Sequence, residues 1–159
     1  MGEVRFYHLT EKPVEAVLPV MLARCLDRNW RVVVRGTEET RLEALCGHFW
    51  ASSGDRFLPH GTVADGRAER QPIWLTAGPE VPNAASVLFL IDRAEAAEAE
   101  FAAMDMTALL FDGHDSRAVD EARDTWRIVA AAGLSAVYWA QDAGGSWVKK
   151  AESGDDNGA

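Results

Sequence analysis

SVLFLID, residues 86–92, is the most hydrophobic run in the chain and points to its fold class. A short run that is apolar at successive positions is typical of a strand buried on both faces of a sheet, as central parallel strands are. Shorter β-branched or alternating runs predict five more strands: EVRFYHL (3–9), WRVVVR (30–35), IWLT (73–76), TALLF (107–111) and SAVYWA (135–140).

Helical patterns separate most of these strands. Four helices are predicted, over 13–28, 38–50, 94–103 and 115–132. The alternation of strands and helices predicts an α/β fold of three layers, in which helices cover both faces of a largely parallel sheet. Pro19 predicts a kink in the first helix or a later helix start.

Two segments fall outside this alternation. Residues 51–72 are polar and contain several glycines and prolines, and a connection of this length is more often functional or mobile than filler. Residues 141–159 are polar and glycine-rich, which predicts a flexible tail after SAVYWA as the last strand. We therefore expect one domain over 1–140 and a flexible C-terminal tail over 141–159.

Charge and hydropathy limit which partners and which compartment we expect for this chain. The formal net charge is −9, whereas contacts to nucleic-acid phosphates need clustered Lys and Arg. We therefore expect no direct nucleic-acid binding, and any role on DNA should run through a protein partner. The N-terminal residues lack the basic-then-apolar order of a signal peptide, and the apolar runs are too short to span a bilayer. A cytoplasmic protein without membrane contact is the expectation.

The motifs of common catalytic and cofactor sites are absent from the sequence. The turns after the first two strands, TEKP and RGTEET, lack the glycines that let backbone amides approach a phosphate. The four histidines are isolated and no C-x-x-C occurs, so we expect no metal and no cofactor. We predict no catalytic residues. A cysteine paired with a distant histidine stays open as an alternative.

The predicted helix over 115–132 carries an unusual surface. At 100° per residue, Arg123, Trp126 and Arg127 share one side, together with Val119. Small, largely apolar residues form a different face that suits packing on the sheet: Ala118, Ala122, Thr125 and Val129. We therefore expect the first face to point outward. Two arginines flanking a tryptophan could accept a carboxylate beside an apolar group.

A simpler interpretation of the same helix is a solvated face. Asp120 and Arg123, and likewise Asp124 and Arg127, are spaced i, i+3 and can form intrahelical ion pairs. Such pairs are common and contribute only about 0.2–0.5 kcal/mol each. In this interpretation Trp126 is a partly buried packing residue.

The chain resembles the chi subunit of bacterial DNA polymerase III. The resemblance is carried by FYHL near the start, by SVLFLI, by the AR-x-x-W-R helix closed by AG, and above all by the block F-W-x6-F-L-P-H-G at residues 49–61. It extends from about Val4 to Trp139. It implies a fold similar to a nucleotide-binding α/β fold without its phosphate loop, which matches the missing glycines.

The resemblance also implies a function. Chi is a non-catalytic accessory subunit of the polymerase holoenzyme that binds the acidic, phenylalanine-terminated tail of single-stranded DNA-binding protein (SSB). It links SSB to the clamp loader through the psi subunit. The tail-binding residues implied for this chain are Trp50, Phe57, Arg123, Trp126 and Arg127. A family pattern with one more basic residue a turn upstream is not met, because that position is Val119.

Two other classes of function are kept as alternatives. A small α/β enzyme would place its site in the crevice at the carboxyl ends of the strands. An adaptor would use the same fold to bind a protein unrelated to SSB. Stabilisation by a nucleotide or metabolite would favour the enzyme, and co-purification with an unrelated protein would favour the adaptor.

Overall fold

A computed structural model describes the backbone of residues 2–52, 60–61 and 68–153, and the side chains of residues 2–47 and 68–153. This part of the chain contains four α-helices and eight strands. The strands are β1 (Glu3–Leu9), β2 (Val32–Arg35), β3 (His60–Gly61), β4 (Ile73–Thr76), β5 (Val87–Leu90), β6 (Met106–Asp112), β7 (Ser135–Gln141) and β8 (Trp147–Glu152). The helices are α1 (Val14–Asp27), α2 (Glu39–Ser52), α3 (Glu98–Ala103) and α4 (Ser116–Ala131).

The strands form one sheet in the order β3-β4-β2-β5-β6-β1-β7-β8. Every neighbouring pair is parallel except β7 and β8, which are antiparallel. The run at 86–92 becomes β5 in the middle of the sheet, and all four of its residues are buried. The predicted three-layer α/β fold with a largely parallel sheet is confirmed.

Each face of the sheet has its own core. Residues of α1 and α2 pack on one face, where Leu18, Leu22 and Leu42 are fully buried against the strands. Residues of α3 and α4 pack on the other, where Phe101 and Val129 join the core. Because both faces are covered, the central strands are apolar at every position rather than at alternate ones. None of the described helices is both long enough and apolar enough to cross a membrane.

Two helices differ from their predicted bounds. α1 begins at Val14 and contains Pro19, so the later start that this proline predicted is wrong. The helix predicted over 94–103 begins only at Glu98. The preceding backbone leaves the helical region, since Arg93 has φ of 66°. The Glu95 carbonyl then accepts a hydrogen bond from Arg35, 3.2 Å away, instead of one from a following turn of helix.

The prediction that β7 is the last strand is wrong. β8 follows it within the segment predicted as a flexible tail, and the two pair as a hairpin. The Asp142 carboxylate closes the turn by accepting the amide hydrogens of Gly144 and Ser146, each at 2.9 Å. Trp147 then packs edge-on against the Tyr7 ring, with centroids 5.0 Å apart. This tertiary contact outweighs the polar composition that predicted disorder.

The polar connection predicted over 51–72 is described only in part. β3 lies within it and pairs with β4, and residues Ala68–Arg70 form a short 3-10 helix. The remaining residues, 53–59 and 62–67, lie outside the described part of the chain.

Candidate functional site

Helix α4 is anchored by its first turn and by its small residues. The Asp115 side chain caps the helix by accepting the Arg117 and Ala118 amide hydrogens, at 3.0 and 3.4 Å. Ala118, Ala122 and Val129 are buried, as the helical spacing predicted. Small side chains let the helix axis approach the sheet closely, so the outer residues of α4 have a well-defined position above it.

Arg123 and Arg127 project from α4 into solvent. Their side chains are 67% and 74% exposed, and each lies near the exposed aspartate three residues earlier. The Arg123–Asp120 distance is 3.9 Å and the Arg127–Asp124 distance is 3.0 Å. Ion pairs in such exposed positions are weak, so they do not prevent either guanidinium from meeting another anion.

Trp126 and Val119 are not on an outward face. Both are partly buried and pack against the core of this side of the sheet, so the prediction of a face that the core does not need is wrong for these two residues. The reason is that α4 contacts both β6 and β7, and the sheet therefore covers a wider arc of the helix than one row of alanines. The interpretation of Trp126 as a packing residue is confirmed.

An aromatic cluster supports this part of α4, formed by Phe6, His8, Phe111, Trp126 and Tyr138. Trp126 lies over Phe6 and Tyr138, with ring centroids 5.3 and 6.2 Å away. His8 and Phe111 extend the cluster, with their ring centroids 5.0 Å apart. The arginines of α4 therefore stand beside a packed aromatic layer.

His8 and Tyr138 are the polar members of this cluster. His8 Nδ1 lies 2.6 Å from the Tyr138 hydroxyl. Burial lowers the pKa of His8, and the positive charge of the nearby Arg123 acts in the same direction. Burial also raises the pKa of Tyr138. Both side chains are therefore neutral at neutral pH. The exposed charge beside the aromatic cluster comes from the arginines and aspartates of α4.

Sequence reasoning missed Phe6, His8 and Tyr138. Their signal was the strand alternation, which places Phe6 and His8 on the same side of β1. The pairing of β1 with β7 then sets Phe6 beside Tyr138. That pairing joins residues more than 130 positions apart, and no local pattern reveals it.

Two of the predicted tail-binding residues are not tested. Trp50 belongs to α2, but its side chain is outside the described residues. Phe57 lies wholly outside them. The structure therefore gives no distance from either residue to α4.

The sheet crevice was the site expected for an enzyme. A cavity of about 520 Å³ lies at the carboxyl ends of β1 and β6. Two of its cations are engaged: Arg41 pairs with Glu15 at 2.9 Å and with Asp92 at 3.1 Å, and Arg93 pairs with Glu121 at 2.7 Å. These carboxylates neutralise both guanidinium groups, which makes the two arginines weaker partners for a phosphate.

Other catalytic groups are also scarce in the described part of the chain. No cluster of three or more His, Cys, Asp or Glu residues able to hold a metal occurs there. Cys25 and Cys46 are buried and form no disulfide. Burial raises the pKa of the Cys25 thiol to about 11, so this residue is protonated at neutral pH and is a poor nucleophile.

The fold and its surfaces define a three-layer α/β protein whose exposed arginines on α4 lie beside an aromatic cluster. A family model described as DNA polymerase III chi subunit, HolC, matches residues 1–137. The chain therefore belongs to the chi subunit family, whose members are replication accessory subunits of the polymerase.

A curated relative agrees with this assignment. The chain is similar to a protein named "Probable DNA polymerase III subunit chi" from Rickettsia prowazekii (strain Madrid E), with 29% identity over 98 residues. The alignment covers 62% of this chain and 59% of the relative's own length. It thus spans less than two thirds of that relative.

Proposed function

We propose that this chain is a non-catalytic subunit that binds the acidic C-terminal tail of SSB through α4 and links SSB to the clamp loader. The observation that carries the proposal is the placement of Arg123 and Arg127 beside the aromatic cluster. Two exposed guanidinium groups next to an apolar wall match a peptide end that combines carboxylates with a phenylalanine ring.

The arginines of α4 can exchange their intrahelical partners for the carboxylates of a peptide. Arg123 is held by a long 3.9 Å contact to Asp120, so a peptide carboxylate can replace that partner at little cost. In the proposed complex Arg123 binds the terminal carboxylate. Arg127, at the end of the same face, binds an aspartate further upstream in the tail.

The apolar part of the peptide needs a fixed surface. Trp126 is held in place by Phe6 and Tyr138, so its exposed edge can receive a ring without first losing side-chain freedom. The resemblance to chi adds Trp50 and Phe57 to the proposed tail-binding residues. Because α2, which contains Trp50, packs on the opposite face of the sheet from α4, we do not include Trp50 in the surface beside Arg123.

The affinity is limited by charge and size. The net charge of −9 repels an acidic tail at long range, and Val119 replaces one basic residue of the family pattern. A small contact of this type corresponds to a dissociation constant on the order of micromolar. Added salt weakens binding because the contacts of the arginines are exposed.

Isothermal titration calorimetry tests the proposal. The full chain is titrated with three peptides. The first is the SSB C-terminus from the same organism, the second lacks the terminal phenylalanine, and the third carries a C-terminal amide in place of the terminal carboxylate. We expect micromolar binding only for the intact peptide. The proposed pocket would be contradicted if no peptide bound at high micromolar peptide concentration, or if all three peptides bound equally.

Two variants locate the site. Arg123→Ala is expected to weaken the intact peptide about tenfold, the usual effect of losing one charge-assisted hydrogen bond. Arg70→Ala is the matched control, because Arg70 is exposed near β4 at the far edge of the sheet. Equal losses in both variants would indicate only a general charge effect.

A further inference from the structure

The side of the sheet covered by α1 leaves one end open. β7 and β8 are the last two strands at this end of the sheet, and the C-terminal part of α1 borders them. Tyr7 on β1 is in register with Trp139 on β7, and Trp147 of β8 packs edge-on against Tyr7. A cavity of about 250 Å³ lies between these three rings and the C-terminal turns of α1.

The cavity is bordered by arginines. Arg5, Arg24 and Arg28 line it, and neither Glu3 nor Asp27, the acids beside them in the sequence, is among its lining residues. Glu3 pairs with Arg5, and the Arg28 guanidinium lies over the Trp30 ring, 5.0 Å from its centroid. Arg24 and Arg28 are the exposed cations that line the cavity. Both side chains belong to the C-terminal end of α1, since Arg24 lies in its last turn and Arg28 is the residue that follows it. A positive concavity on a chain of net charge −9 selects for an anion.

One of the residues that line the cavity, Trp139, carries a buried donor without an acceptor. Among the described residues, no group accepts a hydrogen bond from the indole Nε1 of Trp139, although that atom is shielded from solvent. Buried donors are normally paired, and each exception calls for an explanation. A carboxylate entering between Trp139 and the arginines would supply the acceptor.

The inner part of the cavity is apolar. Met21, Cys25, Phe89 and Met106 line it together with the aromatic rings. Since the Cys25 thiol is protonated, it adds no charge there. The volume is below the roughly 300–1,000 Å³ of sites for drug-sized ligands, so it admits about one side chain.

We propose that this cavity is a second peptide-binding site, which takes an acidic segment through a single aromatic side chain. The aromatic ring enters among Tyr7, Trp139 and Trp147, and flanking carboxylates meet Arg24, Arg28 and the Trp139 indole. The site lies on the opposite face of the sheet from α4 and is independent of the proposed SSB-tail site. One molecule of this protein can then hold two acidic segments at once.

The apolar lining of the inner part of the cavity favours a peptide over single-stranded nucleic acid. Arginines and stacked aromatic rings are common to both kinds of site. A nucleobase, however, would bury polar edge atoms against thioether, thiol and phenyl groups that cannot pair with them, whereas a phenyl ring has no such atoms. A long polyanion would also meet the net negative charge of the surrounding surface.

The test uses the full, 15N-labelled chain and follows the indole N–H signals of its six tryptophans by NMR. The probe is a peptide with four acidic residues around a central phenylalanine. Both of its ends are capped, so it lacks the terminal carboxylate that the α4 site requires. The control peptide has alanine in place of phenylalanine. A Trp139→Phe spectrum identifies the Trp139 signal by its loss.

We expect the phenylalanine peptide to move the Trp139 indole signal downfield, and the alanine peptide to bind at least tenfold more weakly. Arg24→Glu should weaken binding about tenfold, whereas Arg70→Glu and Arg123→Glu should leave it unchanged. An unmoved Trp139 signal at millimolar peptide overturns the proposal. Tighter binding of a thymidine oligonucleotide than of the peptide also overturns it, and would reassign the cavity to nucleic acid.

Discussion

The Trp126 ring on α4 lies 5.3 Å from the Phe6 ring on β1, and the two ring planes are inclined by 57°. Phe6 is fully buried, so this contact ties the helix that carries the exposed arginines to the centre of one core. Because the tryptophan serves both the core and the proposed binding surface, substitutions at this position should affect stability and binding together.

The first prediction tests the packing role of Trp126. Trp126→Ala should lower the free energy of unfolding by about 2 kcal/mol, less than a fully buried tryptophan because Trp126 keeps some exposure. Trp126→Phe should retain most of the stability by keeping a ring on Phe6. Ile128→Ala on the same helix is the control, expected to cost below about 1 kcal/mol because Ile128 is 49% exposed. Urea unfolding followed by circular dichroism measures all three, and similar losses at both positions would contradict the packing role.

The second prediction concerns the ion pair of Arg35 and Glu100. Arg35 is nearly buried and donates two hydrogen bonds to the Glu100 carboxylate, at 3.1 and 2.8 Å. Glu100→Gln leaves this guanidinium with a neutral partner. We expect a loss on the order of 2 kcal/mol in the free energy of unfolding, less than for a fully buried pair because the Glu100 side chain is 28% exposed.

The same pair makes stability depend on acid. The hydrogen bond from Arg35 holds the pKa of Glu100 below its usual value. The contribution of Glu100 is therefore fully present above the unfolded-state pKa and is lost as the pH falls through the lower pKa of the folded state. Unfolding curves of the wild type and Glu100→Gln should converge as the pH is lowered through this window. A constant difference at every pH would contradict the prediction.

The third prediction concerns His8 in the aromatic cluster. Burial lowers the pKa of His8, so the unfolded chain takes up a proton at a higher pH than the folded protein. The associated stability is fully present above the unfolded-state pKa of about 6.5 and is lost as the pH falls from there toward the lower folded-state pKa.

His8→Gln, which keeps a polar side chain near the Tyr138 hydroxyl, removes this titration. Urea unfolding at several values between pH 5 and pH 8 should show the wild type losing stability faster than the variant only on the acid side. Parallel pH profiles of the two proteins would rule out a buried neutral His8.

The fourth prediction compares two glycines. A Cβ atom at Gly113 would overlap the His8 ring and lie 2.8 Å from the Leu9 carbonyl oxygen, so Gly113→Ala should destabilise the fold by about 2 kcal/mol. Gly47 is the matched control, an exposed residue of α2 whose added Cβ would meet nothing within 4 Å. Gly47→Ala should stabilise the protein by up to about 1 kcal/mol, because alanine restricts the unfolded chain and favours helix. Thermal unfolding measures both, and a neutral Gly113→Ala would contradict the close approach of Gly113 to β1.

Local patterns in the sequence were enough to predict most of the elements. The run at 86–92 is apolar at successive positions, and burial on both faces of a central parallel strand follows from that. The alanine row of α4 likewise predicted which side of the helix meets the sheet. These predictions succeed because burial imposes a periodicity within each element, which can be recognised without knowing its neighbours.

The sequence by itself determined a three-layer α/β fold through its alternation of strands and helices, and its missing glycines excluded a phosphate loop. Residues 49–61 carried much of the resemblance to chi. Only the tertiary structure decided that β8 pairs with β7, that Trp126 rests on Phe6, and that Arg24 and Trp139 share a cavity. Each of these relationships joins segments whose contact depends on strand order and on the angle at which a helix crosses the sheet. Periodicity specifies which side of an element is apolar, but the partner of that side is set by long-range packing.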